Sequence, residues 1–189
     1  MKVICYGDSN TYGYDGRSFI PERLDNPWPE ILQTSTGWNV ANQGENGREI
    51  PTKAVSFPED SDLLIIMLGT NELLQLWSPE AAAEKMRSFL ESIRLPRDRI
   101  LLIAPPEMKP GDWVQDPELI GDCHTLASEY EALSRELGIR FANAGQWKLP
   151  ISFDGVHMTQ EGHQHFANEL LRYLNKAQIS QNIKKATGG

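Results

Sequence analysis

Short apolar runs alternate along the chain with longer stretches in which apolar residues recur every three or four positions. That alternation predicts a parallel sheet covered by helices on both faces. Lys2 to Tyr6 forms a first strand stopped by Gly7, and Trp38 to Ala41 a short second strand ending at Asn42-Gln43-Gly44. A short helix is expected between them, from about Pro29 to Gln33. Leu63 to Leu68 is apolar throughout, as a central strand buried on both faces must be. Ile100 to Ala104, closed by Pro105-Pro106, and Ile139 to Ala142 complete five strands, while Gly47, Pro51 and Pro58 keep residues 45 to 60 irregular. A helix opens at Ser78 as N-cap with Pro79 in its first turn, and buries Ala83, Met86, Leu90 and Ile93. A longer helix begins at Asp116-Pro117, buries Leu119, Cys123, Leu126, Tyr130, Leu133 and Leu137, and ends at Gly138. The last helix runs from about Thr159 to Asn175 and turns Phe166, Ala167, Leu170, Leu171 and Leu174 inward. The expected architecture is a three-layer α/β/α sandwich around a five-stranded parallel sheet. It forms one domain over residues 1–178, with a polar, frayed tail over 179–189.

Composition narrows the classes of function. A chain of 189 residues suits a single domain with a full core. Its longest apolar run, Leu63-Leu64-Ile65-Ile66-Met67-Leu68, is far shorter than the roughly 20 residues of a membrane span. The opening apolar run, cut off at Gly7-Asp8, is too short for the core of a signal peptide. Cys5 and Cys123 are the two cysteines and lack metal-ligand spacing, which suggests a reducing compartment and two packing residues. A formal charge of −8 disfavours nucleic acid as a partner. The expectation is a soluble, cytoplasmic protein with a small-molecule ligand and no membrane association.

Candidate chemistry sits just past the strands, where open parallel sheets bind ligands. Gly7-Asp8-Ser9-Asn10 follows the first strand, Asn42-Gln43-Gly44 the second and Gly69-Thr70-Asn71-Glu72 the third. Asp154-Gly155-Val156-His157 lies after the fifth, before the last helix. These segments supply a hydroxyl, glycine-freed N–H groups, an amide, an imidazole and a carboxylate, the inventory for nucleophilic attack on an acyl carbon. Ser9 needs a base, His157 can be that base, and Asp154 three residues earlier can hold the other ring nitrogen. The Ser9 N–H, the Gly44 N–H and the Asn71 amide can point at the oxygen that becomes negative.

Taken in order, Gly7-Asp8-Ser9, Gly44, Gly69-Thr70-Asn71 and Asp154-Gly155-Val156-His157 resemble the four blocks of the SGNH (GDSL-type) hydrolase superfamily. The openings Cys5 to Asp15 and Asn42 to Arg48 resemble its aryl-esterase and acetyl-esterase branch. The resemblance implies a flavodoxin-like fold and a serine esterase that needs no metal or cofactor. In the family's scheme Ser9 is nucleophile and first oxyanion donor, Gly44 and Asn71 are further donors, His157 is the base and Asp154 its partner. Two positions depart from the pattern. Asn10 stands where leucine is usual, at a side chain that does no chemistry, and Glu72 replaces the usual aspartate beside Asn71.

Other residues have plainer readings. His124 is a solvated helix residue, His163 a core histidine and His165 an outward one, and their spacing with Glu161 is not that of a zinc site. Trp77 and Trp113 lie in loops at the edge of the sheet that carries the site and are candidate apolar walls for substrate. The Trp-bearing loops also leave room for a homo-oligomer. The reading is an esterase acting on small, acetyl-type esters. Acyl transfer to another alcohol, or a non-catalytic binder of carbohydrate or nucleotide on the same sheet edge, are the alternatives.

Overall fold

Strand β1 (Lys2–Gly7) lies between β2 (Asn39–Gly44) and β3 (Leu63–Met67), with β4 (Ile100–Ala104) and β5 (Arg140–Asn143) beyond β3. Every neighbouring pair is parallel, and the order β2-β1-β3-β4-β5 is the flavodoxin-like one. The computed structural model describes residues 1–17 and 22–187. Residues 18–21 and the last two residues of the expected tail lie outside the described residues.

Alternation along each strand divides the core into two layers. Val3, Cys5, Leu63, Ile65, Leu101 and Ile103 pack on one face against Trp28 and Leu32 of α2 (Trp28–Thr36) and Phe166 and Leu170 of α6 (Gln160–Thr187). Ile4, Tyr6, Leu64, Ile66 and Leu102 pack on the other. Their partners there are Met86 and Leu90 of α4 (Pro79–Ser92) and Leu126 and Tyr130 of α5 (Glu118–Leu137). Ser78 caps α4 as expected, its hydroxyl accepting the Ala81 N–H at 3.2 Å. The strand order reverses direction between β1 and β3, so the chain ends of these two strands flank a crevice.

Several boundaries differ from the sequence expectation. β2 continues to Gly44 because its pairing with β1 runs on to Gly7. α6 continues beyond Asn175 to Thr187, through residues otherwise expected to be a frayed tail; no glycine or proline interrupts that stretch before Gly188. Two single-turn helices, α1 (Ser9–Tyr12) and α3 (Thr70–Leu74), follow β1 and β3 directly. Both are too short to show apolar periodicity.

A buried ion pair fixes α3. The Glu72 side chain has no exposed surface, and its carboxylate accepts the Ile50 N–H at 2.6 Å and the Lys85 ammonium at 2.9 Å. Lys85 also reaches Glu49 at 2.9 Å. Burial works against the Lys85 charge, but its bonds to Glu72 and Glu49 outweigh it and raise the ammonium's pKa. The added methylene of glutamate lets position 72 tie α3 to the 45–60 segment and to α4 at once.

A buried histidine fixes α2. Pro27 at its N-cap offers no side-chain acceptor, and His163 Nδ1 supplies one to the Trp28 N–H at 3.2 Å. A protonated Nδ1 could not accept that bond, and burial holds the His163 pKa down at about 3.

Two stability predictions follow from these contacts. Lys85→Met leaves a buried carboxylate without its cation and should cost about 3–5 kcal/mol in urea denaturation. Adding Glu72→Gln, which keeps an acceptor for Ile50, should return more than half of that loss. His163 binds no proton in the folded state until about pH 3, but in the unfolded chain it does so from about 6.5. Its contribution is therefore complete above pH 6.5 and is lost as pH falls through that window. The stability advantage of wild type over His163→Asn should shrink by about 2 kcal/mol between pH 6.5 and 5. Asp8 works the other way, since burial pushes its carboxyl up to about 6 and acidification below that value favours the fold. The variant comparison cancels this term.

Candidate active site

Ser9 is the first residue of α1, one position past the end of β1 and its cap. The turn is set by Asp8, whose buried Oδ1 accepts the Asn10 N–H at 2.9 Å and so caps the helix. The Ser9 hydroxyl is thereby presented at the carboxyl edge of the sheet. His157 meets it from the loop before α6: His157 Nε2 lies 2.9 Å from Ser9 Oγ. The opposite nitrogen, Nδ1, lies 2.7 Å from Asp154 Oδ2.

Asp154 is held as firmly as the imidazole it contacts. Its Oδ1 accepts the backbone N–H groups of Val156 at 2.8 Å and His157 at 2.9 Å. Burial acts to raise its pKa, but the imidazole contact and these two N–H groups prevail and keep the carboxyl below its ordinary value. Asp154, His157 and Ser9 are all buried. Tyr14 and Trp113 bracket the imidazole, with ring centroids 4.5 Å and 5.1 Å from that of His157.

Ser9 and His157 open into a cavity of about 210 Å³. Its other walls are Tyr14, Asn46, Gly47, Asn71, Leu74, Trp113 and Val156. Apart from His157, no residue in that lining carries an ionisable acid or basic group other than the phenol of Tyr14. The Asn71 side chain comes from α3, and one amide hydrogen is occupied by the Arg48 carbonyl at 2.9 Å. The second hydrogen of that NH₂ remains to serve a ligand.

Two sequence expectations change here. The Gly44 N–H donates to Asn42 Oδ1 at 2.9 Å, and Gly44 is not part of the cavity wall. Glycine is needed there for a different reason: a Cβ would come within 2.0 Å of the Tyr12 nitrogen, so α1 packs directly on this strand end. The glycine in the cavity wall is Gly47, three residues on, at φ +72°. Trp77 is the second change. It is half exposed outside the cavity with the Lys85 ammonium 4.8 Å from its ring, because α3 turns the chain away and leaves Leu74 at the wall instead. Trp113 does line the cavity.

The remaining histidines keep away from it. His124 pairs with Glu107 at 2.7 Å and His165 lies 3.7 Å from Glu161, both exposed. Cys5 is buried in β1 and Cys123 partly buried in α5, and burial raises both thiols. Among the described residues, no group of three or more His, Cys, Asp or Glu side chains is gathered so as to hold a metal ion. Among the same residues, no helix is long and apolar enough to cross a membrane.

The comparisons with known proteins agree with this arrangement. No curated protein matches the chain in sequence. Among solved structures, the native aryl esterase of M. smegmatis superposes with a TM-score of 0.76 at 23% identity, over 93% of this chain and 98% of that one. A carbohydrate acetylesterase family member from Sinorhizobium meliloti gives 0.77 at 23% identity, over 93% and 98%. A proposed arylesterase from Agrobacterium tumefaciens gives 0.75 at 26%, over 93% and 99%. These likenesses establish the fold, and the family model of GDSL-like lipases and acylhydrolases matches residues 5–165. With that match spanning most of its length, the chain belongs to the GDSL-like lipase/acylhydrolase family and is a carboxylic ester hydrolase.

Proposed function

We propose that the protein hydrolyses small, uncharged esters of short acyl groups through a covalent acyl-enzyme on Ser9. The observation that carries this reading is the unbroken chain from Asp154 through His157 to the Ser9 hydroxyl, opening into a neutral cavity. The Ser9 oxygen attacks the acyl carbon while its proton passes to His157 Nε2. Asp154 keeps the ring oriented and stabilises the imidazolium that forms. Collapse of the tetrahedral intermediate breaks the bond to the leaving oxygen, which takes the proton from His157. Water then attacks the acyl group by the same route, and Ser9 is regenerated.

The developing oxyanion is assigned to the Ser9 N–H, the free hydrogen of the Asn71 amide and the N–H of Gly47, which replaces Gly44 in that role. The Arg48 carbonyl supports this assignment by fixing the Asn71 amide against the loop that carries Gly47. Preorganised donors of this kind account for a large part of catalysis in acyl transfer.

Acyl preference is read from cavity size and lining. About 210 Å³ is below the roughly 300–1,000 Å³ of pockets that enclose a drug-sized ligand. Leu74, Val156, Trp113 and Tyr14 offer apolar contact for an acetyl or similar group. A palmitoyl chain would leave most of its methylenes in water, without the roughly 0.8 kcal/mol each gains on burial.

A fluorophosphonate probe should label wild type at Ser9 and should not label Ser9→Ala. Ser9→Ala and His157→Ala should each lower kcat by roughly 10⁴-fold or more, and labelling of a different serine would contradict the mechanism. Across p-nitrophenyl esters from acetate to palmitate, kcat/KM should decline beyond about four to six carbons. A palmitate value equal to that of acetate would refute the short-acyl assignment.

A further inference from the structure

The geometry points to Asn10 as a positioning residue that locks the His157 loop to the Ser9 turn, and we infer that catalysis in this chain depends on its side-chain amide. The inference rests on the Ser9–His157 mechanism proposed above and concerns what holds that pair in register.

Ser9 and His157 belong to segments far apart in sequence, and their 2.9 Å separation is useful only if both backbones are fixed relative to each other. Asn10, adjacent to Ser9 in α1, is buried at 2% exposure. Its Nδ2 donates to the Val156 carbonyl at 3.1 Å, and its Oδ1 accepts the Met158 N–H at 2.9 Å. The two contacts fall on the residues immediately before and after His157. One amide thus grips the histidine's backbone from both sides, as a neighbouring strand would. The orientation of the amide is unambiguous, since a carbonyl can only accept and an N–H can only donate.

Other backbone groups of this loop bond within it or to the 109–113 segment, whose Lys109, Asp112 and Trp113 N–H groups donate to the Gly155, Phe153 and Asp154 carbonyls. The Val156 and His157 N–H groups go to Asp154, and the His157 carbonyl accepts the Ser152 N–H at 2.7 Å. Those bonds shape the loop but do not connect it to Ser9. Asn10 makes the bonds that do so through backbone, while the Ser9–His157 contact itself involves the reacting atoms. A leucine at position 10 can form neither bond, and would leave the Val156 carbonyl and the Met158 N–H without these partners. The departure from the usual leucine therefore has a mechanical consequence in this chain: the segment that carries the nucleophile also aims the base.

The test compares Asn10→Leu and Asn10→Asp with wild type on p-nitrophenyl acetate, with thermal unfolding run alongside. Asn10→Leu removes both bonds at nearly conserved size, and Asn10→Asp keeps the acceptor for Met158 but loses the donor to Val156. A displacement of the base should lower kcat by about ten- to a hundredfold in Asn10→Leu, and by less in Asn10→Asp, with KM within about twofold. The same changes are then made in His157→Ala, assayed with added imidazole as a diffusible base. There the loop no longer carries the base, and neither change should lower the rate further.

Equal losses with and without His157 would overturn the inference in favour of a general structural role. Unchanged kcat in the folded variants would overturn it as well. Should only Asn10→Asp fold, its kcat and its cycle with His157→Ala decide in the same way. Full activity in Ser9→Ala would instead refute the proposed mechanism. Inactive Ser9→Ala and His157→Ala beside a fully active Asn10→Leu would refute the role of Asn10 alone.

Discussion

A hydrogen bond of 2.9 Å joins Ser9 to His157 across 148 positions of sequence, and the rest of the molecule can be understood as what makes that distance reproducible. Neither residue is near the other in the unfolded chain, so the contact carries a loop-closure cost that local structure cannot meet. The parallel sheet meets it by construction. All five strands point the same way, so every connection leaving a carboxyl end begins at one edge. The reversal of strand order between β1 and β3 then opens space at that edge for Ser9, from one side, and Asn71, from the other.

The same rule explains what could be read from sequence and what could not. Ser9, Asn71, Asp154 and His157 each follow a recognisable strand or precede a recognisable helix, so their convergence on one edge follows from the alternation of apolar runs. β3 and β4 were equally legible, because burial on both faces demands uninterrupted apolar residues, whereas the polar edge strand β2 runs three residues beyond its expected end. Gly44 and Gly47 were not separable in this way. Gly44 closes β2 and Gly47 lies three residues beyond it. At Gly44, Asn42 takes the N–H and Tyr12 leaves no room for a Cβ, whereas Gly47 has open space around it and stands in the cavity wall. Those are tertiary facts with no sequence periodicity. Trp77 was misplaced for a related reason: a single turn of helix, α3, redirects the chain and puts Leu74 at the cavity.

Charge burial is handled differently at each position, and the differences separate chemistry from scaffolding. His163 is fully buried, takes one backbone N–H and, among the described residues, pairs with no carboxylate, so it is confined to the neutral form and serves as a helix cap. His157 is nearly as buried but faces a carboxylate that is itself held ionised by two backbone N–H groups. A proton arriving on the second imidazole therefore has a counter-charge in place, and a proton arriving on the first does not. Glu72 is fully buried too, yet it is spent on Lys85 and Ile50, on the far side of α3 from any proton transfer. Burial alone would not distinguish these three groups; their partners do.

The aromatic walls complete the electrostatic argument. Tyr14 and Trp113 stand within about 5 Å of the imidazole on the cavity side, ring centroid to ring centroid. They cover part of the imidazole that water would otherwise solvate. In the mechanism proposed above, donors at Asn71 and Gly47 would act across a medium less polarisable than water, where each is worth more to a developing negative charge. Under the proposed function, narrow acyl selectivity and a well-shielded base would both follow from this packing. Trp113 couples them most directly, since it both borders the cavity and meets the His157 ring edge-on. Its loop is in turn anchored to the histidine's own, the Trp113 N–H donating to the Asp154 carbonyl at 2.9 Å. One backbone hydrogen bond thus ties this part of the cavity wall to the loop that carries Asp154 and His157.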